Sequence, residues 1–252
     1  MKAETLFDVQ GRVALVTGAA QGLGTVMCQV LVENGAIVYG VDRDQEGLER
    51  LAKTCALFPC PADTRDFAAL QGIVQEITNA HGRLDIVLAN AGISDRSGVP
   101  LHLAPNDDIA QVIDVNLNGT LTLARACLGQ MVTQNCGKFI AVASMWGHAA
   151  PAGLFPRPAY AASKGAIVNL VRELAIEYAQ HNIQINALCP GFFQTETRPR
   201  DAEHAKIMEE YTPLGRIAQA REIAGSVLFL ASAASDFMTG SSLVIDGGVL
   251  AR

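Results

Sequence analysis

The sequence contains few charged and few aromatic residues, and both shortages narrow the classes of protein to which it can belong. Charged side chains account for 17% of its 252 residues and aromatic ones for 6%, whereas 50% are hydrophobic. A chain of this composition and length can bury a large core and suits one large α/β domain. The formal net charge of −6 argues against a nucleic-acid or anionic membrane partner, because either would require a basic face.

No apolar run in the sequence is long enough for a membrane span. The most apolar stretch, 223–234, is interrupted by Gly225 and Ser226, and a span requires roughly 18 uninterrupted residues. Residues 1–10 also lack the apolar centre of a secretory signal peptide. We therefore expect a cytoplasmic protein without a membrane partner.

The cysteines and histidines lack the spacings of metal sites and redox pairs. None of the six cysteines forms a Cys-x-x-Cys pair, and none of the five histidines forms a His-x-x-x-His pair. We expect reduced thiols, with Cys28, Cys127 and Cys189 in the core, and no metal site.

Short apolar runs alternate with segments of helical period along the whole chain. Leu23, Val26, Met27, Val30 and Leu31 form one helical stripe, which Gly35 ends. The expected strands are residues 12–17, 36–41, 55–60, 84–89, 138–143, 183–188 and 242–245. Further helices are expected at residues 45–53, 66–80, 106–134, 158–181, 201–210 and 219–233. This alternation predicts a single doubly wound, Rossmann-type α/β domain over residues 1–252, with a seven-stranded parallel sheet and helices on both faces.

A glycine-rich turn, Thr17–Gly24, joins the first expected strand to the first helix. Glycines there permit a tight turn and let the backbone approach a pyrophosphate at the positive end of the helix. The spacing is Gly-x-x-x-Gly-x-Gly, which differs from the Gly-x-Gly-x-x-Gly of long dehydrogenases and from a P-loop. A tight turn alone could explain the glycines, but the strand, turn and helix together favour dinucleotide binding.

Asp42 ends the second expected strand, 18 positions after Gly24. A carboxylate at this place can accept hydrogen bonds from the adenosine ribose and repel a 2′-phosphate, which favours NAD over NADP. The adjacent Arg43 keeps NADP possible, because a guanidinium can pair with that phosphate.

Tyr160 and Lys164 are four residues apart in a segment of helical pattern. That spacing places them on one helix face, about 6 Å apart along the axis. An ammonium near a phenol favours the phenolate, so the tyrosine could exchange a proton with an alcohol near neutral pH. Taken alone, the pair is better explained as an accidental feature of a helix surface.

Together, the glycine turn, Tyr160-x-x-x-Lys164 and the strand pattern resemble the short-chain dehydrogenase/reductase family, from about residue 11 to residue 248. Ala89-Asn90-Ala91-Gly92 is similar to the family's Asn-Asn-Ala-Gly segment, with alanine replacing the first asparagine. The resemblance implies four catalytic residues: Asn116, Ser144, Tyr160 and Lys164. It also implies that Ser144 steadies the substrate oxygen and that Asn116 holds a water in a proton relay.

The same resemblance implies a cofactor site. Asp63 matches the acid that binds the adenine amino group, and Pro190-Gly191 with Thr195 matches the segment that holds the nicotinamide. The full implied set is Gly18, Gln21, Gly22, Leu23, Gly24, Asp42, Arg43, Asp63, Thr64, Asn90, Gly92, Tyr160, Lys164, Pro190, Gly191, Phe193 and Thr195. The expected reaction interconverts a secondary alcohol and a ketone, and the expected assembly is a homotetramer.

The substrate is less clearly indicated. Ser144 and Tyr160 are 16 positions apart, a few more than is usual in the family, so the loop between them should border the substrate. Within it, Trp146 could stack on a sugar or serve as packing, and His148 is expected to be an ordinary loop residue. Three arginines could meet a substrate carboxylate, although solvated surface positions are the simpler interpretation: Arg157, Arg198 and Arg200.

As a whole, the sequence resembles the family branch that acts on gluconates, other sugar acids and polyols. A 3-oxoacyl-carrier-protein reductase is the main alternative, followed by a reductase of small cyclic ketones. A dinucleotide-binding protein without catalytic activity is a remote alternative, because all four implied catalytic residues are present.

Overall fold

Seven parallel strands form the centre of the structure, a computed structural model that describes residues 2–150, 154–195 and 202–251. In chain order the strands are β1 (Val13–Thr17), β2 (Ile37–Asp42), β3 (Leu57–Pro61), β4 (Ile86–Ala89), β5 (Gly137–Val142), β6 (Ile183–Pro190), β7 (Phe193–Gln194), β8 (Ala218–Gln219) and β9 (Ser242–Ile245). The large sheet has the order β3-β2-β1-β4-β5-β6-β9, and β7 pairs only with β8. The predicted seven-stranded parallel sheet is therefore confirmed.

Helices cover both faces of this sheet. They are α1 (Ala3–Leu6), α2 (Gly22–Glu33), α3 (Gln45–Ala52), α4 (Phe67–His81), α5 (Asn106–Ile113), α6 (Gly119–Gln134), α7 (Pro158–Tyr178), α8 (Ala202–Tyr211) and α9 (Ala224–Ala231). Successive residues of β1 point to opposite faces. Val13 and Leu15 join a core with α4, α6 and α7, whereas Ala14 and Val16 join one with α2, α3 and α9. A strand buried on both faces must be apolar throughout, which explains its continuous hydrophobic run.

The structure corrects several expected boundaries. Residues 106–134 are helical, but α5 and α6 are separated by one π-helical turn, Asp114–Asn118, in place of one uninterrupted helix. β4 begins at Ile86 and not at residue 84, because the Leu84 N–H donates to Gln134 Oε1 and the Asp85 carboxylate accepts from Val13 N–H. The short β7–β8 pair was not predicted, and residues 219–233 begin with a 3₁₀ turn, Ala220–Ile223.

The cysteines are free, and Cys28, Cys127 and Cys189 are buried as predicted. Burial raises the pKa of the Cys28 and Cys127 thiols well above its ordinary value. Within the described residues, no helix is long and apolar enough to cross a membrane, and no group of His, Cys, Asp or Glu side chains is placed to hold a metal ion.

Candidate active site

A cavity of about 570 Å³ opens at the carboxyl end of the parallel sheet. Its walls come from the ends of β1, β2, β4, β5 and β6 and from the loops that follow them. Ligands bind at this edge in open α/β sheets, where the strand order reverses, and the volume is in the range of ligand pockets.

The glycine turn forms one end of the cavity in a conformation that side chains would obstruct. Gly18 and Gly22 have φ values of +67° and +62°. A Cβ on Gly24 would lie 1.9 Å from the carbonyl oxygen of Gly18. Gly24 does not line the cavity; it packs beneath the turn, and its predicted cofactor contact becomes a packing role. At Gly18 and Gly22 no side chain stands between the cavity and the first N–H groups of α2, which fits the phosphates of a dinucleotide.

Asp42 and Arg43 line the cavity where β2 ends. The carboxylate of Asp42 accepts hydrogen bonds from the N–H groups of Ala20, at 3.1 Å, and Asp44, at 3.0 Å. These bonds hold the carboxylate beside the glycine turn, where a ribose would lie.

Asp63 and Thr64 line the same end of the cavity, and Asp63 has a partner that the sequence did not reveal. Arg65 donates to its two carboxylate oxygens at 2.9 and 2.7 Å and reaches Asp114 at 3.0 Å. The hydrogen bonds from Arg65 lower the pKa of Asp63 to about 2. The carboxylate is thus fixed and ionised, as an acceptor for an amino group must be.

Asn90 joins the glycine turn to the end of β4. Its side-chain amide donates to the carbonyl oxygens of Thr17, at 3.0 Å, and Gly18, at 3.2 Å. Ala89, which stands where the family has its first asparagine, is buried in the sheet and does not disturb these bonds.

Three of the four expected catalytic side chains face the cavity: Ser144, Tyr160 and Lys164. Ser144 follows β5 and its Oγ accepts from Trp146 N–H at 3.1 Å. Lys164 Nζ lies 5.7 Å from the centre of the Tyr160 ring and donates to the Val142 carbonyl oxygen at 2.7 Å. Burial lowers the pKa of Lys164 to about 8.

Asn116, the fourth expected residue, lies behind the cavity wall in the π-helical turn and is fully buried. Its amide group donates to Ile93 O and Ser163 Oγ, each at 2.9 Å, and accepts from Ile93 N–H at 2.8 Å. A Cβ on Gly92 would lie 3.3 Å from Asn116 Oδ1 and 3.4 Å from Lys164 Nζ, so only a glycine separates the two side chains. Single π turns in helices are frequent at functional sites.

Asp95 supports the site from behind and was not predicted from the sequence. Its carboxylate accepts from the N–H groups of Ala159, at 3.1 Å, and Tyr160, at 2.9 Å, and so caps the N-terminus of α7. The positive end of the helix dipole favours an acid there. Nothing local in the sequence connects this loop residue to a helix that begins more than 60 positions later.

The loop before α7 and helix α8 form the catalytic end of the cavity. Trp146 is buried, lines the cavity and packs on Phe192, with ring centres 6.0 Å apart. His148 Nε2 lies 3.7 Å from Cys189 Sγ and does not line the cavity. Arg157 lines the cavity wall, and its Nη1 donates to Ser94 Oγ at 3.2 Å. Arg198 and Arg200 lie outside the described residues.

A dinucleotide cradle that opens onto a serine, a tyrosine and a buried lysine is the arrangement of a dinucleotide-dependent oxidoreductase. A family model described as enoyl-(acyl carrier protein) reductase matches residues 18–250. Gluconate 5-dehydrogenase of Gluconobacter oxydans is 34% identical, with 99% of this chain and 98% of that protein covered.

Solved structures have the same fold over nearly the whole chain. A short-chain type dehydrogenase/reductase from Mycobacterium marinum has a TM-score of 0.91 and 34% identity, with 98% of each chain covered. A gluconate 5-dehydrogenase from Burkholderia cenocepacia, in complex with NADP and tartrate, has a TM-score of 0.91 and 33% identity, with 100% of each covered. The chain belongs to the short-chain dehydrogenase/reductase family and is an oxidoreductase acting on CH–OH groups.

Proposed function

We propose that the protein interconverts a hydroxyl and a keto group on a sugar acid or polyol, with NAD as the favoured cofactor. The single observation that carries this proposal is the cavity itself, because the glycine turn lies at one end and Ser144, Tyr160 and Lys164 at the other. The sugar-acid substrate is supported by the gluconate 5-dehydrogenases among the relatives. We further propose one catalytic domain over residues 1–252.

The residues at the catalytic end divide the proton chemistry between them. The dinucleotide, when bound, accepts or supplies the hydride. Ser144 Oγ donates a hydrogen bond to the substrate oxygen and steadies its developing charge. Tyr160 takes the hydroxyl proton in oxidation and returns it in reduction.

Lys164 acts through its charge. With a pKa of about 8, the Lys164 amine is still mostly protonated at neutral pH, although it is buried. That charge stabilises the phenolate of Tyr160. Asn116 supports this region through its bonds to Ile93 and Ser163, and we propose that it also belongs to a proton relay from Lys164 to solvent.

The experiment that tests the reaction is NADH production with a panel of sugar acids, polyols and cyclic alcohols. Reduction of an acetoacetyl thioester runs beside it. Turnover of a sugar acid or polyol with the highest kcat/KM supports the proposal. A higher kcat/KM for the thioester would replace it with the alternative of a 3-oxoacyl-carrier-protein reductase.

That alternative is retained because the matching family model is described by an acyl-carrier-protein substrate. A carrier protein is acidic and would require a basic surface at the cavity mouth. The net charge of −6 does not favour such a surface. Small cyclic ketones remain a third arm of the same panel, and absence of turnover throughout would leave the non-catalytic alternative.

NAD is favoured because the Asp42 carboxylate is fixed beside the glycine turn by Ala20 and Asp44. A 2′-phosphate would bring like charges together there. Arg43 lines the cavity next to it and could offset part of this repulsion. The test is the ratio of kcat/KM values for NAD and NADP, and a ratio in favour of NADP contradicts the proposal.

We also propose a cytoplasmic homotetramer. From the family resemblance we infer subunit contacts at the two long helical regions and the C-terminal strand. Each of these elements exposes a large apolar side chain: Leu121 on α6, Ile176 on α7 and Val244 on β9. A second copy of the chain could cover them.

A further inference from the structure

We propose that Arg65 is a positioning residue that links recognition of the adenine ring to the helical turn that carries Asn116. The proposal rests on the proposed function only in that the cavity binds an adenine dinucleotide, either NAD or NADP. It gives one side chain, which does not itself line the cavity, two tasks. Arg65 orients the acceptor for the adenine amino group and transmits the binding of that group to the catalytic end.

One side of the Arg65 guanidinium fixes the Asp63 carboxylate. Arg65 Nε donates to Asp63 Oδ1 at 2.9 Å, Nη2 donates to Oδ2 at 2.7 Å, and the backbone N–H donates to Oδ1 at 2.9 Å. An ionised carboxylate has about four acceptor positions, and these bonds leave one of them, on Oδ2. Asp63 lines the cavity, so that position can accept from an amino group but has no proton for a carbonyl oxygen.

The other side of the same guanidinium holds the beginning of the π-helical turn. Arg65 Nη1 donates to Asp114 Oδ2 at 3.0 Å, and Asp114 Oδ1 accepts from Asn118 Nδ2 at 3.1 Å. Asp114 is the first residue of this turn and Asn118 is the last, so the Asp114 carboxylate closes the turn and joins it to Arg65. Hydrogen bonds from Asn118 and Arg65 lower the pKa of Asp114 and keep its side chain ionised.

The backbone beside Arg65 is also packed against the end of this turn. Thr64 is buried, and its Oγ1 lies 3.5 Å from the carbonyl oxygen of Gly119, the residue that follows the turn. A Cβ on Gly119 would lie 2.6 Å from Thr64 Cγ2. A displacement of residues 63–65 is therefore transmitted to the turn by packing as well as by the ion pair.

The turn is connected in the same way to the catalytic helix. Asn116 lies in its middle, and the Asn116 amide donates to Ser163 Oγ at 2.9 Å. Ser163 immediately precedes Lys164 on α7, and Ser163 Oγ donates to the Tyr160 carbonyl oxygen at 2.8 Å. Hydrogen bonds and the backbone of the turn thus connect the Asp63 carboxylate to the helix of Tyr160 and Lys164.

This network is better suited to fixing positions than to stabilising the fold. The side chains of Arg65, Asp63 and Asp114 are 36%, 33% and 44% exposed, and ion pairs with that much access to solvent contribute little to stability. Their geometry is still defined, because a guanidinium binds carboxylates as a rigid planar fork. Replacing Arg65 should therefore change the selectivity for the base and leave the fold intact.

The first test compares two dinucleotides that differ at one group of the base. The reduced dinucleotide that binds more tightly, NADH or NADPH, is titrated beside its hypoxanthine analogue, in which an oxo group replaces the amino group. In wild type the analogue should bind more weakly, because the Asp63 carboxylate repels its oxygen. In Arg65→Met, where that carboxylate is no longer held, the Kd of the analogue divided by that of the natural dinucleotide should fall about 3- to 10-fold.

Arg221→Met provides the matched control. Arg221 is another exposed arginine paired with a carboxylate, that of Glu33 at 2.8 Å, and it does not line the cavity. It should leave the ratio of Kd values unchanged, and both variants should unfold at about the same denaturant concentration as wild type. A ratio that is also unchanged in Arg65→Met would overturn the role of Arg65 at the base.

The second test measures hydrogen exchange in peptides that cover residues 113–119, with each dinucleotide at saturation. In wild type the adenine dinucleotide should slow exchange of the turn more than its hypoxanthine analogue does, and in Arg65→Met the two should act equally. Asp114→Asn should also abolish this difference but keep the wild-type ratio of Kd values, because Arg65 still holds Asp63. Peptides that cover residues 17–24 are the internal reference, since the glycine turn would bind the phosphates that both dinucleotides share.

Equal exchange of the turn with the two dinucleotides in wild type would overturn the link to the catalytic end. Neither test requires a substrate, so both results can be read even if the sugar-acid activity fails. If neither dinucleotide binds, this inference and the proposed cofactor are overturned together.

Discussion

The surroundings of Lys164 change the chemistry of its side chain. The side chain is buried in the cavity wall, and the Val142 carbonyl is the acceptor for its ammonium. Loss of hydration lowers its pKa from 10.5 to about 8. The folded protein thus carries a buried charge at neutral pH, which the proposed mechanism uses and without which the fold would be more stable.

The buried Lys164 should make the free energy of unfolding depend on pH. Below about pH 8 both the folded and unfolded states are protonated and the full cost of burial is present, and above about pH 10.5 it is absent. Relative to wild type, Lys164→Met should therefore gain on the order of 3 kcal/mol in free energy of unfolding as the pH falls from 10.5 to 7. The measurement is denaturant unfolding of the dinucleotide-free protein at several pH values.

The difference between the two proteins is the informative quantity, because the thiols also titrate in this range. Burial raises the pKa of Cys28 and Cys127, so their ionisation in the unfolded state lowers stability at high pH in both proteins alike. Lys206→Met is the control, because it removes an exposed lysine of α8. The difference in free energy of unfolding between this variant and wild type should not change with pH. A pH-independent difference for Lys164→Met would contradict a buried charged lysine.

Tyr160 is the residue to which we assign proton transfer. Tyr160→Phe should lower kcat at least about 100-fold, because the ring can still pack but has no proton to exchange. The KM for the dinucleotide should change little, since the glycine turn and Asp42 supply most of that binding. Steady-state kinetics with the best substrate of the panel provide the measurement.

Tyr178→Phe is the matched control, since it removes a hydroxyl from the other end of the same helix, α7. Its kcat should stay within about twofold of wild type. Near-normal turnover by Tyr160→Phe would remove that residue from the mechanism.

Residues whose role depends on neighbours in the sequence could be predicted. The glycine turn follows from local backbone geometry, and Tyr160 with Lys164 follows from the period of one helix. Asp63 lines the cavity, and its partner Arg65 was not predicted, although it lies only two positions away. Phe155 and His204 are in contact although they are almost 50 positions apart, and no periodic pattern in the sequence predicts such a pair.

Among the elements, the inner strands β1, β4, β5 and β6 could be predicted because they are buried on both faces and are therefore almost continuously apolar, whereas the edge strands β3 and β9 are partly exposed. The π-helical turn at Asp114–Asn118 could not, since its hydrogen bonds span one residue more than those of an α turn over only five residues, which is too short for the change of period to be visible. The β7–β8 pair has two residues in each strand, which is too short for an alternation to be visible.

Helix α7 depends on Asp95 for its N-terminal cap. Asp95→Ala should lower the free energy of unfolding by about 1–2 kcal/mol, since two backbone N–H groups lose a charged acceptor. Because Tyr160 donates one of those N–H groups, we also expect kcat to fall several-fold. Denaturant unfolding and steady-state kinetics on the same preparation measure the two effects.

Asp66→Ala is the control that distinguishes the loss of stability from the loss of kcat expected for Asp95→Ala. Asp66 caps α4 by accepting from Ala69 N–H at 3.0 Å, and it does not line the cavity. It should cost a similar free energy of unfolding and leave kcat within about twofold of wild type. If both variants lose stability and neither loses kcat, Asp95 is a helix cap without influence on the position of Tyr160.

At the scale of the whole molecule, exposed apolar side chains on α7 and β9 bear on the proposed assembly. Ile176 is 81% exposed on α7, and Val244 is 37% exposed on β9, which lies at the edge of the sheet. An open strand edge presents unpaired backbone groups, and proteins cover or charge such edges. Subunit contacts in the proposed tetramer would cover such groups.

Ile176→Glu should therefore dissociate the proposed tetramer, because a carboxylate at the contact would have to be buried against an apolar partner surface. Sedimentation velocity or light scattering after size exclusion gives the mass of each species at matched concentration. Leu101→Glu is the control, since Leu101 is 61% exposed in a 3₁₀ turn outside the proposed contacts and should not alter the mass. A tetramer that persists in Ile176→Glu would exclude the exposed face of α7 from the interface, and a monomeric wild-type protein would contradict the assembly itself.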